Sequence, residues 1–488
     1  MAANPTLVVV GAGPAGLTAA YDAQAQGIQT LVLEKDPEYV GGISRTVRYK
    51  DFRFDIGGHR FFSKSNEVTQ WWKDRLPDDF IQVQRMSRIF YRGKYYDYPL
   101  KAWNALSNLG LFTSAACVVS YGWSRLFPRK PEKSFEDWVS NRFGRKLFGI
   151  FFKTYTEKVW GIPTYELSAD WAAQRIKGLS LFKAIINAFR GQKKGGPVIK
   201  TLIDTFDYPR FGPGQMWEHV AASFQKQGGK LEMGTEVVRI NHAGGRILSI
   251  EVREASGATR EIVADQFIVT MPLRETVKAF HPPLPAEALQ AAENLSYRDF
   301  LTVALVVKGE NPFPDNWIYI HDPAVKLGRI QNFKNWSESM IGAGATTCLG
   351  LEYFCFEGDE LWNASDKELI ELGRRELAQL GLAKPESVID GSIVRQPKAY
   401  PVYDEHYQRN VDAIRAALEK HASNLQVVGR NGMHKYNNQD HSMMTAMLAV
   451  KNLTGSKYNL WNVNSDAEYH EEVREAAASS ASASTAGR

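Results

Sequence analysis

Cysteine is scarce: Cys117, Cys348 and Cys355 are all that the 488-residue chain contains. They show no CxxC spacing and are too few for a disulfide framework, which excludes a stapled scaffold, suggests no metal site and fits a reducing compartment. An excess of one charge sign is missing too. The 59 Lys and Arg against 54 Asp and Glu leave +5, spread along the chain, too little to mark a nucleic-acid binder but compatible with an anionic small molecule. No apolar run reaches the ~18 residues of a membrane span. Trp103 to Phe127 comes nearest, interrupted by Asn104, Ser107, Asn108, Ser114 and Ser120 and followed by Arg129, Lys130 and Lys133. It reads as a buried helix pair, with an interfacial membrane helix carrying a basic flank as the alternative. A cationic leader with a cleavage site is also lacking, since Leu7 to Val10 runs straight into a glycine-rich turn. The expected location is the cytoplasm, with peripheral association at the cytoplasmic membrane as its variant. No internal repeat of about 20 to 50 residues stands out.

What is present is length and aromatic content. A chain of this length exceeds one ordinary core, so several packed units are expected. The 12 Trp, 20 Tyr and 25 Phe suit flat ligands as well as cores. Residues 6 to 34 read strand, turn, helix, strand; residues 65 to 200 read helical and Trp-rich, including an amphipathic stretch Leu179 to Phe189. Strand alternation returns over 228 to 271, 298 to 308 and 346 to 356, an amphipathic helix covers 366 to 381, and a last helix runs near His441 to Leu453. The fold class is therefore α/β (α+β as a whole): a Rossmann-type dinucleotide domain with a helical insertion and a mostly antiparallel β-sheet substrate domain. The dinucleotide domain takes 1–95, 200–275 and 390–460, the insertion 96–199 as a lid or membrane-proximal region, and the substrate sheet 276–389. The Ala/Ser-rich tail 474–488 is too poor in apolar residues to order itself.

Gly11, Gly13 and Gly16 fit GxGxxG. The first glycine permits the sharp turn, the second lets the backbone approach a pyrophosphate, and the third lets helix and strand pack closely. The motif follows a strand, opens a helix whose N-terminus faces the phosphates, and is followed at the next strand end by Glu34, placed for a ribose. Gly41-Gly-Ile-Ser-Arg45 adds a second glycine pair with Ser44 and Arg45. Ile268-Val-Thr-Met-Pro272 and Val427-Val-Gly-Arg430 resemble the strands by which amine-oxidase-like flavoproteins return to FAD. That likeness makes FAD, rather than NAD, the expected cofactor. Its expected contacts are Gly11, Gly13, Pro14, Ala15, Gly16, Glu34, Lys35, Gly42, Ser44, Arg45, Gly58, His59, Val237, Gly429 and Arg430.

Three further segments narrow the resemblance to the UDP-galactopyranose mutases: Asp55-Ile-Gly-Gly-His-Arg-Phe-Phe62, Phe152-Lys-Thr-Tyr-Thr-Glu-Lys-Val-Trp-Gly161 and Gly328-Arg-Ile-Gln-Asn-Phe-Lys334. The match is colinear from residue 6 to about 455 and patchy between motifs. The resemblance places His59 beside the isoalloxazine, Trp160 in the sugar-nucleotide cleft and Arg329 on the substrate diphosphate. Glu352-Tyr-Phe354 and Ala399-Tyr-Pro-Val402 resemble segments whose tyrosines bind phosphate, which map to Tyr353 and Tyr400. His59 and Arg329 are the expected catalytic pair. One departure stands out: where a second phosphate-clamping arginine belongs, just after Arg175-Ile, this chain reads Lys177-Gly-Leu-Ser180. Arg190, Lys193 and Lys194 read as a solvated face, with replacement of that charge as the alternative. Tyr208-Pro-Arg-Phe-Gly-Pro-Gly214 resembles protoporphyrinogen oxidases and carotenoid desaturases as much as mutases.

The resemblance implies pyranose–furanose interconversion of a diphosphate-linked sugar, UDP-galactose or a polyprenyl-linked sugar, in which N5 of reduced flavin attacks the anomeric carbon. NAD(P)H is one candidate reductant, and the sequence leaves the reductant open. The rival expectation is a flavin oxidoreductase of the amine oxidase, protoporphyrinogen oxidase or desaturase type acting on an apolar substrate.

Overall fold

The computed structural model describes residues 6–98, 100, 102–169, 204–342, 344 and 346–464. The stretch Leu179 to Phe189, the sequence after Arg175, the basic residues Arg190, Lys193 and Lys194, and the Ala/Ser-rich tail lie outside the described residues.

Four consecutive apolar residues, Leu7–Val10, form a strand buried on both faces, as expected of the centre of a parallel sheet covered by helices. It pairs in parallel with Thr30–Leu33 and with Gln266–Val269. Lys230–Glu232 and Leu425–Val427 complete a five-stranded sheet at its two edges. The helix Pro14–Ala25 buries Ala15, Gly16, Ala19, Ala20 and Ala23, small residues that let it lie close to the sheet and to the terminal helix Gln439–Leu453. Arg246–Glu254 pairs with Thr235–Ala243 and with Thr259–Ile262 in an accessory antiparallel sheet.

A seven-stranded sheet forms the second unit, in the order Val388–Pro401, Tyr297–Lys308, Thr346–Cys355, Arg329–Asn332, Trp317–Ile320, Ser87–Tyr91 and Lys94–Asp97. Period-two alternation gives it two unlike faces. Leu349, Leu351 and Tyr353 face a core closed by the amphipathic helix Asp366–Gln379, while Cys348 and Phe354 face the helical insertion.

Two expectations change here. Residues 65 to 200 are not helical throughout, because Phe80–Gln84, Ser87–Tyr91 and Lys94–Asp97 are strands. The hairpin 87–97 also joins the substrate sheet rather than the dinucleotide domain, through parallel pairing with Trp317–Ile320 more than 200 residues away, a partner that local pattern does not reveal. The second change concerns 103–127. It forms a helix pair, Ala102–Leu109 and Leu111–Leu126, but the pair is not buried: Leu111 is 81% and Phe112 91% exposed. Among the described residues no helix is long and apolar enough to cross a membrane.

Candidate active site

The first half of the site is the glycine turn after Leu7–Val10. Gly11 has φ +99, and a Cβ there would lie 2.1 Å from Thr270 Oγ1; a Cβ on Gly16 would lie 1.8 Å from the Gly11 carbonyl oxygen. Both glycines are demanded by the protein itself. Gly13 differs, since its φ of −76° suits any residue and a Cβ would meet only the Gly42 Cα, at 3.9 Å. Gly13 and Gly42 therefore meet backbone against backbone, since a Cβ on Gly42 would lie 3.3 Å from the Gly13 Cα. The helix beginning at Pro14 has no side-chain cap and no acidic residue in its first turn, leaving amides and the positive end of the helix dipole at that bare-backbone surface.

Glu34 is tied to this turn, accepting from the Ala12 amide at 2.6 Å and the Asp36 amide at 2.9 Å. Burial raises its pKa, against those two donors. Ser44 is buried, and Arg45 donates to Gln396 Oε1 at 3.1 Å while its buried Nε has no partner among the described residues. Open amides, facing glycines and an unsatisfied guanidinium nitrogen fit a dinucleotide diphosphate. Lys35 instead pairs with Glu236 at the surface, 2.6 Å away. Val237 is buried in the neighbouring strand. Gly429, at φ +84, donates its amide to Thr445 Oγ1 at 3.0 Å.

The second half begins at the turn Asp55–His59. Gly57 has φ +84, and a Cβ on it would lie 3.7 Å from Arg329 Nη2, 3.8 Å from Glu352 Oε1 and 3.8 Å from His59 Nε2. Three segments thus converge on one point. His59 donates from Nε2 to the Ile56 carbonyl at 2.8 Å. Burial pushes its imidazole down to about 4, and the neighbouring Arg430 and Arg329 act in the same sense, so His59 is neutral at physiological pH. Gly58 packs close to Gln331 and Trp336.

Register across the substrate sheet builds the anionic-ligand side. Tyr319, Arg329 and Glu352 are direct cross-strand neighbours. Arg329 Nε donates to Glu352 Oε2 at 2.5 Å, and Gln331 Nε2 donates to Glu352 Oε1 at 2.8 Å. Burial opposes the Arg329 charge, yet Glu352 raises its pKa well above the ordinary value. With Nε on the carboxylate and Nη2 toward Gly57, the guanidinium keeps one edge for a ligand. Burial likewise raises the hydroxyl pKa of Tyr155 and Tyr400, so both are neutral donors beside the arginine.

Helix Thr154–Trp160 forms the opposite wall, entered through one π-helical turn, Gly149–Lys153. Two cations pin it, Lys158 half-buried and Arg298 buried. Lys158 Nζ donates to the carbonyls of Asp322 at 2.6 Å and Leu327 at 3.1 Å, and Arg298 donates to those of Val159 at 3.1 Å and Lys158 at 3.3 Å. Arg298 thereby caps the helix C-terminus. The pinned helix sets Trp160 against Tyr436 and Tyr400, with ring centroids 5.9 and 6.4 Å away, and Tyr400 stacks on Tyr436 at 5.6 Å under Arg430.

The structure therefore brings His59, Trp160, Arg329, Tyr400 and Arg430 together. Tyr353 is corrected. It is fully buried on the far side of the sheet, donating to Glu376 Oε2 at 3.0 Å, because alternation turns Glu352, not its neighbour, toward the cleft. Glu352, Tyr155, Tyr319 and Tyr436 were not singled out from sequence. The parity of Glu352 and its place in a motif with Tyr353 held the signal for the first, and Tyr155 lies within the motif that ends in Trp160.

Behind the Gly57 turn, Asp55 is buried, and among the described residues no cation pairs with it. Thr46 Oγ1 donates to it at 2.8 Å, as does the Tyr208 hydroxyl. Burial raises its carboxyl from 3.8 to about 7, against those donors. The folded chain therefore retains a proton that the unfolded chain releases, and this group's contribution to stability is full below about pH 4 and lost as pH rises through about 7. In Asp55→Asn that slope is expected to vanish. Denaturant melts of both proteins across this range should show wild type losing a few kcal/mol relative to the variant; parallel curves would refute the assignment.

Comparison with known proteins addresses the family and the fold. A family model described as flavin containing amine oxidoreductase matches residues 14–408. The "Probable UDP-galactopyranose mutase" of Klebsiella pneumoniae is 25% identical over 175 residues, 34% of this chain and 44% of that protein. An L-amino-acid oxidase of Crotalus adamanteus is 44% identical over 321 residues, 62% of this chain and 58% of that protein. The chain thus spans about half the length of the curated relatives it matches. A crystal structure of reduced UDP-galactopyranose mutase superposes with TM-score 0.80 at 22% identity, covering 95% of this chain and 98% of that one. At that identity the likeness is one of fold.

Proposed function

The chain belongs to the flavin containing amine oxidoreductase family, which with its fold implies FAD, and on that premise we propose that it interconverts pyranose and furanose forms of a diphosphate-linked sugar. The observation that carries this reading is the Arg329–Glu352 pair, 2.5 Å apart, held between the Gly57 turn and a wall of tyrosines. When bound and reduced, the flavin supplies a nucleophilic nitrogen for the anomeric carbon.

The chain's own residues answer the other demands. Arg329, fixed by Glu352, presents a charged edge to diphosphate oxygens, which a planar guanidinium engages through two parallel hydrogen bonds. Neutral Tyr400 and Tyr155 donate rather than repel. Holding the departing diphosphate in place keeps it ready to re-attack, so positioning and charge stabilisation do most of the work. Trp160 and Tyr436 wall the sugar from water. Neutral His59 adds no charge and does not titrate between pH 6 and pH 8, because its pKa lies at about 4.

The test is anaerobic incubation with UDP-galactopyranose, with products separated by chromatography. UDP-galactofuranose is expected from dithionite-reduced protein and not from oxidised protein. If flavin-loaded, reduced protein converts neither this substrate nor a polyprenyl-diphosphate sugar, the reading fails. Hydrogen peroxide release from an apolar amine or an amino acid by the oxidised form would install the oxidoreductase alternative.

A further inference from the structure

The helix Leu111–Leu126 is amphipathic in the inverted sense. Its protein-facing side carries polar and small residues: Cys117 and Ser124 are buried, Ser114 Oγ donates to the Leu106 carbonyl at 2.7 Å, and Ser120 Oγ accepts from the Lys146 amide at 3.1 Å. Backbones meet there, since a Cβ on Gly144 would lie 2.7 Å from the Tyr121 nitrogen. The outward side carries Leu111, Phe112, Val119, Trp123 and Leu126, continued by Trp103 on the preceding helix, all more than 60% exposed. Surface helices of soluble chains bury that stripe, and a contiguous exposed patch of large apolar side chains marks a contact surface.

Charge identifies the occupant. Residues 98 to 131 contain no Asp or Glu, but include Lys101, Arg125, Arg129 and Lys130. The acids that follow are engaged: Glu132 by Arg142 at 2.9 Å, and Glu136 and Asp137 by Arg129 at 3.2 and 3.0 Å. Arg125, Lys130 and Lys133 are exposed at the rim. Two copies of the chain meeting through this face would bring together rims of the same sign. A leaflet containing anionic phospholipid complements both the apolar face and the cationic rim. The helix has 16 residues, about 24 Å at 1.5 Å per residue, short of the ~30 Å hydrocarbon core, so it lies along the interface.

We propose that Leu111–Leu126, with Trp103 and the rim from Arg125 to Lys133, is a peripheral docking surface for membranes containing anionic phospholipid. Trp103 and Trp123 sit at headgroup depth and Phe112 enters the acyl boundary. The docked face belongs to the same helical unit that leads through Gly149–Lys153 to the cleft wall at Trp160.

The experiment is flotation of the full-length, flavin-loaded protein with vesicles of phosphatidylcholine alone and of phosphatidylcholine with about one third phosphatidylglycerol. Wild type is expected to float with the anionic vesicles at least ~10-fold more than with the neutral ones. Phe112→Glu/Trp123→Glu, at exposed positions, is expected to keep its melting temperature and flavin absorbance while losing flotation by ~10-fold or more. No flotation of wild type, equal flotation with both vesicle types, or equal flotation of the variant would overturn the proposal. So would lipid-free self-association of wild type that the double variant abolishes, which would make a second copy the occupant.

Discussion

Arg329→Met is expected to abolish turnover of a diphosphate-linked sugar and to weaken the fold by about 3–5 kcal/mol. The two losses have different origins. Stability falls because Glu352 is fully buried, and removing the guanidinium leaves its carboxylate in a low-dielectric site with Gln331 as the one remaining donor among the described residues. Turnover falls because the charged edge facing Gly57 disappears. The double variant Arg329→Met/Glu352→Gln separates them: with both charges gone, most of the lost stability should return, while sugar-diphosphate binding should not. Arg329→Lys is expected to behave like the methionine variant in turnover, since one ammonium cannot span the carboxylate and a phosphate together. Denaturant melts report the first quantity and product chromatography the second. A double variant that turns over a diphosphate-linked sugar at the wild-type rate would remove Arg329 from the substrate site.

Sequence carried the dinucleotide half more completely than the substrate half, and for a physical reason. The glycine turn is a local device: Gly11, Gly16 and the helix they join sit within one βαβ unit, so spacing alone specifies the geometry. The cleft is assembled across strands distant in sequence. Glu352 reaches Arg329 through cross-strand register, and residue-by-residue motif transfer selected Tyr353, one position along, which alternation turns into the opposite core. Parity relative to Arg329 was the available signal. Tyr319 and Tyr436 arrive through pairing and packing that no short motif encodes. The helix Leu111–Leu126 misled for another reason: its apolar content suggested burial, whereas its Ser, Thr and Cys positions recur on the side that the protein covers. Periodicity was legible, but not which side of the helix faced inward.

Gly13 gives a sharp separation between folding and cofactor binding. Gly13→Val is expected to leave the apoprotein fold intact and to reduce FAD occupancy by ~10-fold or more. The backbone at Gly13 is in an ordinary conformation, φ −76° and ψ −178°, so no strain follows from adding a side chain. A Cβ there meets only the Gly42 Cα, at 3.9 Å, so the new atoms add bulk to the surface that the two glycines leave bare. A diphosphate approaches that surface closely only while it is bare backbone. Gly16→Ala provides the contrast, because its Cβ would lie 1.8 Å from the Gly11 carbonyl oxygen, and the turn itself must break. Far-UV circular dichroism and the ratio of flavin to protein absorbance distinguish the two variants. Gly13→Val should give folded, colourless protein that melts with the wild-type apoprotein, lacking only the stability that ligand binding adds to the holoprotein. Gly16→Ala should lower the apoprotein melt as well. Full flavin content in Gly13→Val would mean that the diphosphate does not lie against Gly13.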